Sequence, residues 1–299
     1  QRGRRDGSFT RGDLQLLTHP IETLRFLVLM RRFRRRYAAF KRRCTVISQA
    51  EVIRDDPVLS ELYRTPALEY LEAQHIEHVT RSYIAPVVQG TAFCSIEELT
   101  AMTLLIGILP TIVPMYEYTL RTDLLTAGFE DSIVFDSVAV ISSSDGDYTV
   151  RTVGGATYVA PNVVVATPTH ISAVLLGFTS VKRPVSAHIF LIDGELLQPW
   201  ADATFTLFPN GEDSLAIARQ PDGLTVFGSK IGEPDFSQYF DSWTVREHHH
   251  WDPAFHLLGD VLLECEQGHG LYLVGDHNVS NLEDSYIYGM YAASRILAE

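Results

Sequence analysis

The sequence predicts an α/β protein in which part of a doubly wound domain joins a second domain of helices and an antiparallel sheet. Three observations carry this class. Residues 163–166 (VVVA) and 271–274 (LYLV) are short apolar runs stopped near Pro168 and Gly275, the pattern of buried parallel strands. Residues 184–230 hold short apolar strand patterns between Pro-Asn-Gly and Pro-Asp-Gly turns, which suits an antiparallel sheet. Much of residues 21–110 repeats apolar side chains every three to four positions, the helical period. At 299 residues and 46% hydrophobic, the chain is long enough for two domains and a large core.

The elements follow in order. Leu24, Leu27, Val28, Phe33, Tyr37 and Phe40 set a helix over 21–43, with one slip in spacing between Val28 and Phe33. Eight of the thirteen residues 31–43 are basic. That charge is local: residues 1–45 hold thirteen Arg and Lys against three Asp and Glu, and the remainder holds eleven against thirty-four. The acidic remainder disfavours a nucleic-acid contact. Two readings stay open: a basic amphipathic helix on an anionic membrane, or a solvated face whose arginines pair with the acidic body. Pro66 suits a first helical turn, and Leu68, Leu71, His75, Val79 and Tyr83 extend that helix. Ser95 and Glu98 fit a capping box before an apolar helix over 99–109. Alternation marks strands at 133–141 and 148–153, and further strands at 185–192, 203–208, 215–218 and 224–227. Trp200, Phe205, Phe208 and Trp243 are core candidates that could also wall a pocket. Ser280 and Glu283 fit a second capping box, which opens the last helix.

The last predicted strand ends in Gly275-Asp276 and feeds that helix. A strand end facing a helix N-terminus can hold a polar, electron-rich ligand edge. Asp276 can accept from hydroxyls, and the first-turn N–H groups can face a carbonyl or an anion. Residues 271–297 (LYLVGDHNVSNLEDSYIYGMYAASRIL) resemble the C-terminal flavin-binding motif of the flavin-containing amine oxidase superfamily. That superfamily includes protoporphyrinogen oxidases and phytoene-desaturase-like enzymes. Asp284, Ser285 and Tyr288 stand where its motif has small residues. Residues 132–168 are similar to the same superfamily in order and spacing. Val138 and Ile141 come first, then a hairpin, then the run closing on Ala166-Thr167-Pro168, with Pro161 at a usually acidic position. Tyr83-Ile84-Ala85-Pro86, Gly90 and Ser95 to Ala101 resemble its helical substrate lid. Trp251-Asp252-Pro253-Ala254 is similar to a stretch before the last strand in desaturase and protoporphyrinogen-oxidase relatives, with His256 where they have a proline.

The resemblance implies an FAD-dependent oxidoreductase with a Rossmann-like FAD-binding part and a small apolar substrate. Its chemistry would be hydride abstraction by the flavin, as in desaturase- and protoporphyrinogen-oxidase-like enzymes. A flavin amine oxidase is the alternative, although Lys182 and Lys230 both flank turns and suit no lysine site beside the flavin. A non-catalytic fragment or assembly subunit is the third reading. By the resemblance, Val138 lies against the adenine–ribose end of FAD. Ala166, Thr167 and Pro168 pass close to the dinucleotide, and Gly275 and Asp276 hold its hydroxyls. N–H groups around Tyr286 and Ile287 favour negative charge on the reduced ring. No catalytic residue is assigned; His250, Trp251 and His256 are the candidates. The segments then read as 1–125 helical substrate part, 126–180 FAD-binding, 181–246 antiparallel-sheet substrate part and 247–299 C-terminal FAD-binding.

One expected element is missing. No G-x-G-x-x-G turn, the usual pyrophosphate cradle, occurs in the sequence. The chain is therefore expected to be the C-terminal two-thirds of a longer flavoprotein, or one subunit whose N-terminal half is separate. His248-His249-His250 invites a metal, but alternate strand residues face opposite ways and no third ligand has suitable spacing, so no metal is expected. Cys44, Cys94 and Cys265 are too scattered for a disulfide framework, and a reducing compartment is the default. No apolar run reaches the roughly 18 residues of a membrane span. A cytoplasmic location is expected, with peripheral membrane contact through residues 21–43 as the open alternative.

Overall fold

The computed structural model describes residues 18–113, 121–144, 146–179, 183–257 and 261–298. The helical part begins with α1 (Pro20–Arg43), whose last-turn Lys41, Arg42 and Arg43 complement the helix dipole. Its buried stripe is Phe26, Met30, Phe33, Tyr37 and Phe40, alternately four and three residues apart. The slip in the sequence pattern is thus no slip. Phe26 and Met30 complete the inward face, and Leu24, Leu27 and Val28 point outward. A helix apolar on two sides buries the side offering more area, and the aromatic side does so here.

Three short helices follow: α2 (Gln49–Asp55), α3 (Pro57–Arg64) and α4 (Ala67–Ala73). Ser48 caps α2 by accepting from the Glu51 N–H, and the Asp56 carboxylate caps α3 by accepting from Val58 and Leu59. The helix expected to run through Tyr83 is interrupted at His75, which adopts φ 55°. The chain resumes through a π turn, Thr80–Ile84, into α5 (Ala85–Ala92). The Ser95/Glu98 capping box forms, but it closes a 3₁₀ turn; α6 (Ala101–Ile108) has its own cap in Thr100.

Eleven strands build three sheets among the described residues. β1 (Val138–Ser144), β2 (Asp147–Thr152) and β3 (Thr157–Ala160) form an antiparallel meander. β1 starts five residues later than the sequence pattern suggested, and Phe135, inside the expected strand, is 99% exposed. The α/β part follows. β4 (Val163–Val165) leads into helix α7 (Thr169–Leu176), and β11 (Leu271–Leu273) leads into the last helix, α8 (Leu282–Ile296). β4 and β11 pair in parallel, and β10 (Glu266–Gly268) adds antiparallel on the far side. The third sheet, in order β6-β7-β8-β5-β9, comprises β5 (Pro184–Leu196), β6 (Phe205–Leu207), β7 (Ser214–Arg219), β8 (Thr225–Ser229) and β9 (Phe240–His256). β9 pairs with β5 from Phe240↔Leu196 to His256↔Pro184. The register shifts at Arg246, between the pairs Glu247↔Leu191 and Val245↔Ile192.

Val185, Leu207, Leu257 and Val279 join the buried helical cluster, so strands and helices share one core. A second cluster gathers Phe190, Phe208, Phe227 and Phe240, with Trp200 packed on its edge. Phe205 and Trp243 are exposed on the sheet. The C-terminal helix docks on α1. The Tyr37 hydroxyl donates to the Asp284 carboxylate, Gln49 Nε2 donates to the Asp284 carbonyl (3.1 Å), and Lys41 pairs with Glu283 (2.6 Å). The Ser280/Glu283 box does not form. Asn281 is the cap instead, its Oδ1 accepting from the Glu283 N–H at 3.0 Å, while Lys41 holds the Glu283 carboxylate.

Candidate functional site

A cleft of about 770 Å³ opens where the two parallel strands end. Its floor is Ala166-Thr167-Pro168 after β4 and Val274-Gly275-Asp276 after β11. The carboxyl ends of parallel strands are the usual ligand position in open α/β sheets. The Val274 N–H donates to the Val165 carbonyl at 2.9 Å, which keeps the two strand ends side by side. At the other end of the pair the Val163 N–H donates to the Gly270 carbonyl at 2.8 Å. The φ of Gly270 is +74°, and a Cβ there would meet the Pro161 carbonyl oxygen at 2.3 Å. Ser280, Asn281, Leu282 and Ser285 bring the α8 N-terminus to one side. Val88 and Ala92 from α5, Leu104 from α6, Leu99, and Phe255 from β9 supply an apolar wall.

The polar groups are few and placed. Asp276 is the one carboxylate among the described lining residues, and no lysine or arginine joins it. It is half-buried and takes no hydrogen bond from the described residues. Ser280 Oγ is buried without a partner among them. Thr167 is fixed by Ser172, whose hydroxyl donates to the Thr167 carbonyl at 2.9 Å. Asn278 pins the loop: its Oδ1 accepts from the Leu263 N–H at 2.9 Å, and its Nδ2 donates to the Leu263 carbonyl at 2.7 Å. His277 is buried beneath the loop with Nδ1 3.1 Å from Thr169 Oγ1. His256 is buried at the cleft wall, its ring 5.2 Å from that of His170.

Of the residues singled out in the sequence, Ala166, Thr167, Pro168, Gly275, Asp276 and His256 line this cleft together. Others do not. Val138 sits on the exposed meander. Tyr286 is 69% exposed, and Ile287 packs against the helical core. Because α8 begins at Leu282, Tyr286 and Ile287 donate inside the helix, and the first-turn N–H groups are those of Leu282, Glu283 and Asp284. His250 stacks on His188 at 4.1 Å, and Trp251 lies 6.2 Å from Phe93. Neither lines the cleft, although Pro253 and Ala254 do. His188 Nδ1 lies 3.0 Å from His248 Nε2; burial, with His250 and His248 beside it, pulls the His188 pKa down. Sequence reasoning overlooked His170, His277, Asn278 and the free hydroxyl of Ser280. The signal was there in the run of polar residues from Asp276 to Asn278, too short to be a solvated loop and flanked by an apolar strand.

No protein-family model and no curated protein sequence matches the chain. Solved structures do match, as FAD-binding oxidoreductases with a Rossmann-like fold, and the chain shares that fold. One is a protein assigned as a protoporphyrinogen oxidase from Exiguobacterium sp., at 16% identity and TM-score 0.53, covering 79% of this chain and 67% of that one. A CLA-producing fatty acid isomerase from P. acnes aligns at 10% identity and TM-score 0.54, with the same coverage. A putrescine oxidase variant aligns at 10% identity and TM-score 0.55, over 94% of this chain and 76% of that one.

Proposed function

We propose that this chain is the substrate-binding and C-terminal flavin-binding part of an FAD-dependent oxidoreductase acting on an apolar substrate, in the manner of protoporphyrinogen-oxidase- and desaturase-like enzymes. The observation that carries this reading is the cleft itself. One side is apolar helix, and the other is two parallel strand ends facing a helix N-terminus. The donor set fits the ring and ribityl end of FAD. Asp276 offers an unused carboxylate to hydroxyls, and buried Ser280 Oγ lacks a partner among the described residues. The N–H groups of Leu282 and Asp284 favour developing negative charge. The pyrophosphate end has no cradle in this sequence, which lacks the glycine turn.

A bound flavin supplies hydride-accepting chemistry that side chains lack. Val88, Ala92, Leu99, Leu104 and Phe255 orient an apolar substrate and exclude water. His256 can hold or release a proton at an imidazole nitrogen on the cleft wall. An amine oxidase is less favoured, because no lysine lines the cleft among the described residues. Lys41 pairs with Glu283, and Lys230 bonds to Gln89 at 3.3 Å. Lys182 lies outside the described residues. The missing glycine turn favours a second reading, a fragment or subunit that completes its FAD site only with another segment.

Flavin fluorescence quenching on the full protein tests the assignment. Asp276→Ala removes a hydrogen bond to a charged group and weakens FAD binding about 10- to 100-fold, with the fold intact by circular dichroism. Equal affinity in both proteins overturns it. Anaerobic bleaching of the flavin by a porphyrinogen or polyene, and not by a diamine, then separates the two oxidase classes.

A further inference from the structure

We infer that the outer face of α1 docks on an anionic lipid surface. Helical geometry places Ile21, Leu24, Val28, Arg31, Arg32 and Arg35 together, opposite the buried Phe26–Tyr37 stripe. The first half of this face is apolar: Ile21 is 69% exposed, Leu24 63% and Val28 40%. The second half is cationic. A shallow groove of about 360 Å³ borders this face, lined by Leu24, Arg25, Val28, Leu29 and Arg32 of α1 and by Ala73 and Gln74 at the end of α4. That arrangement suits an acyl chain below a phosphate.

Seven of the nine basic residues of α1 divide into two sets; of the others, Arg25 donates to the His75 carbonyl at 3.1 Å and Arg42 is exposed near the end of the helix. Arg36 pairs with Asp56 (2.6 Å), Lys41 with Glu283 (2.6 Å) and Arg43 with Asp55 (3.3 Å), so the end of the helix is bound to the acidic body. Arg31, Arg32, Arg34 and Arg35 have no acidic partner among the described residues. Arg31, Arg32 and Arg35 share the outer face, and their like charge favours an external anion there. The exposed leucines and valine decide the kind of anion. A nucleic-acid backbone gains nothing from Leu24 or Val28, whereas a bilayer rewards their burial and the arginines together. No helix among the described residues is long and apolar enough to cross a membrane, so the contact is a surface one.

Co-sedimentation with vesicles tests this on the full chain, and it needs no flavin. Binding to phosphatidylcholine vesicles containing phosphatidylserine exceeds binding to phosphatidylcholine alone, and falls as salt rises. Replacing Arg31, Arg32 and Arg35 with glutamine lowers the partition about a hundredfold, at about fivefold for each basic residue near the surface. Replacing Leu24 and Val28 with glutamine also lowers it. All five side chains are exposed, so circular dichroism stays unchanged. No preference for the anionic vesicles at low salt overturns the inference. So does tight binding of duplex DNA that the Leu24/Val28 variant retains, which would assign the face to nucleic acid.

Discussion

Asp284→Asn should stabilise the protein at neutral pH. Asp284 is 1% exposed in the joint between α1 and α8 and accepts from the Tyr37 hydroxyl. Burial pushes its carboxyl up from 3.8 to about 6, against the opposing pull of the Tyr37 bond and of Lys41. Burial, with Asp284 beside it, pushes the Tyr37 phenol up as well, so that proton stays in place as a donor. Between pH 3.8 and about 6 the folded chain keeps a proton that the unfolded chain has lost. Stability from this group is therefore full at low pH and falls as pH rises through that window. The rise corresponds to about 3 kcal/mol lost by neutral pH. Asparagine resembles the protonated acid, still accepts from Tyr37 and cannot ionise. The expected gain at neutral pH is about 2–3 kcal/mol, shrinking to nothing near pH 4. Urea unfolding of both proteins across this range reads the difference directly, and other titrating groups cancel between them. A variant whose stability tracks the wild type at every pH, or drops below it at neutral pH, refutes the reasoning.

Three further outcomes are expected. Burial raises the thiols of Cys44, Cys94 and Cys265, to about 12, 11 and 12, so a thiol reagent at neutral pH labels the native protein far more slowly than the unfolded one. Gly270→Ala forces a Cβ onto the Pro161 carbonyl at a positive φ and costs about 1–3 kcal/mol; an unchanged urea midpoint would show that the strand ends tolerate the shift. Phe33→Ala, deep in the α1 stripe, costs about 3–5 kcal/mol, while Leu24→Ala stays within about 0.5 kcal/mol; equal losses would mean that the outward face of α1 is covered.

The strand ends at Pro168 and Gly275 were readable because a parallel strand is a short apolar run with a hard stop, and both signals are local. The partner of each was not, since pairing Val163 with Leu271 depends on a register no periodicity carries. The last helix shows how close competitors defeat a motif. Ser280 and Glu283 had capping-box spacing, yet Asn281, one residue nearer, caps as well, and Lys41 draws Glu283 away. α1 failed in a different way. Its apolar residues fill more than one face, so sequence gives a helix but not which side the rest of the protein will cover. His256 reached the cleft and His250 did not, because β9 travels along the sheet and only its end meets the strand ends.

The parallel pair at the cleft floor joins residue 163 to residue 271. Closing so long a loop is entropically slow, and no local contact rewards it early. A chain emerging from the ribosome can therefore assemble its helices and most of its antiparallel sheet while half of this floor is still unmade. Asp276, Ser280 and the α8 N-terminus follow long after, and Asp284 then clasps Tyr37 of a helix made 247 residues earlier. The order has a consequence for any chain cut short before β11: it carries apolar walls and no seat for a ligand, so it differs from the longer chain in what it fails to bind.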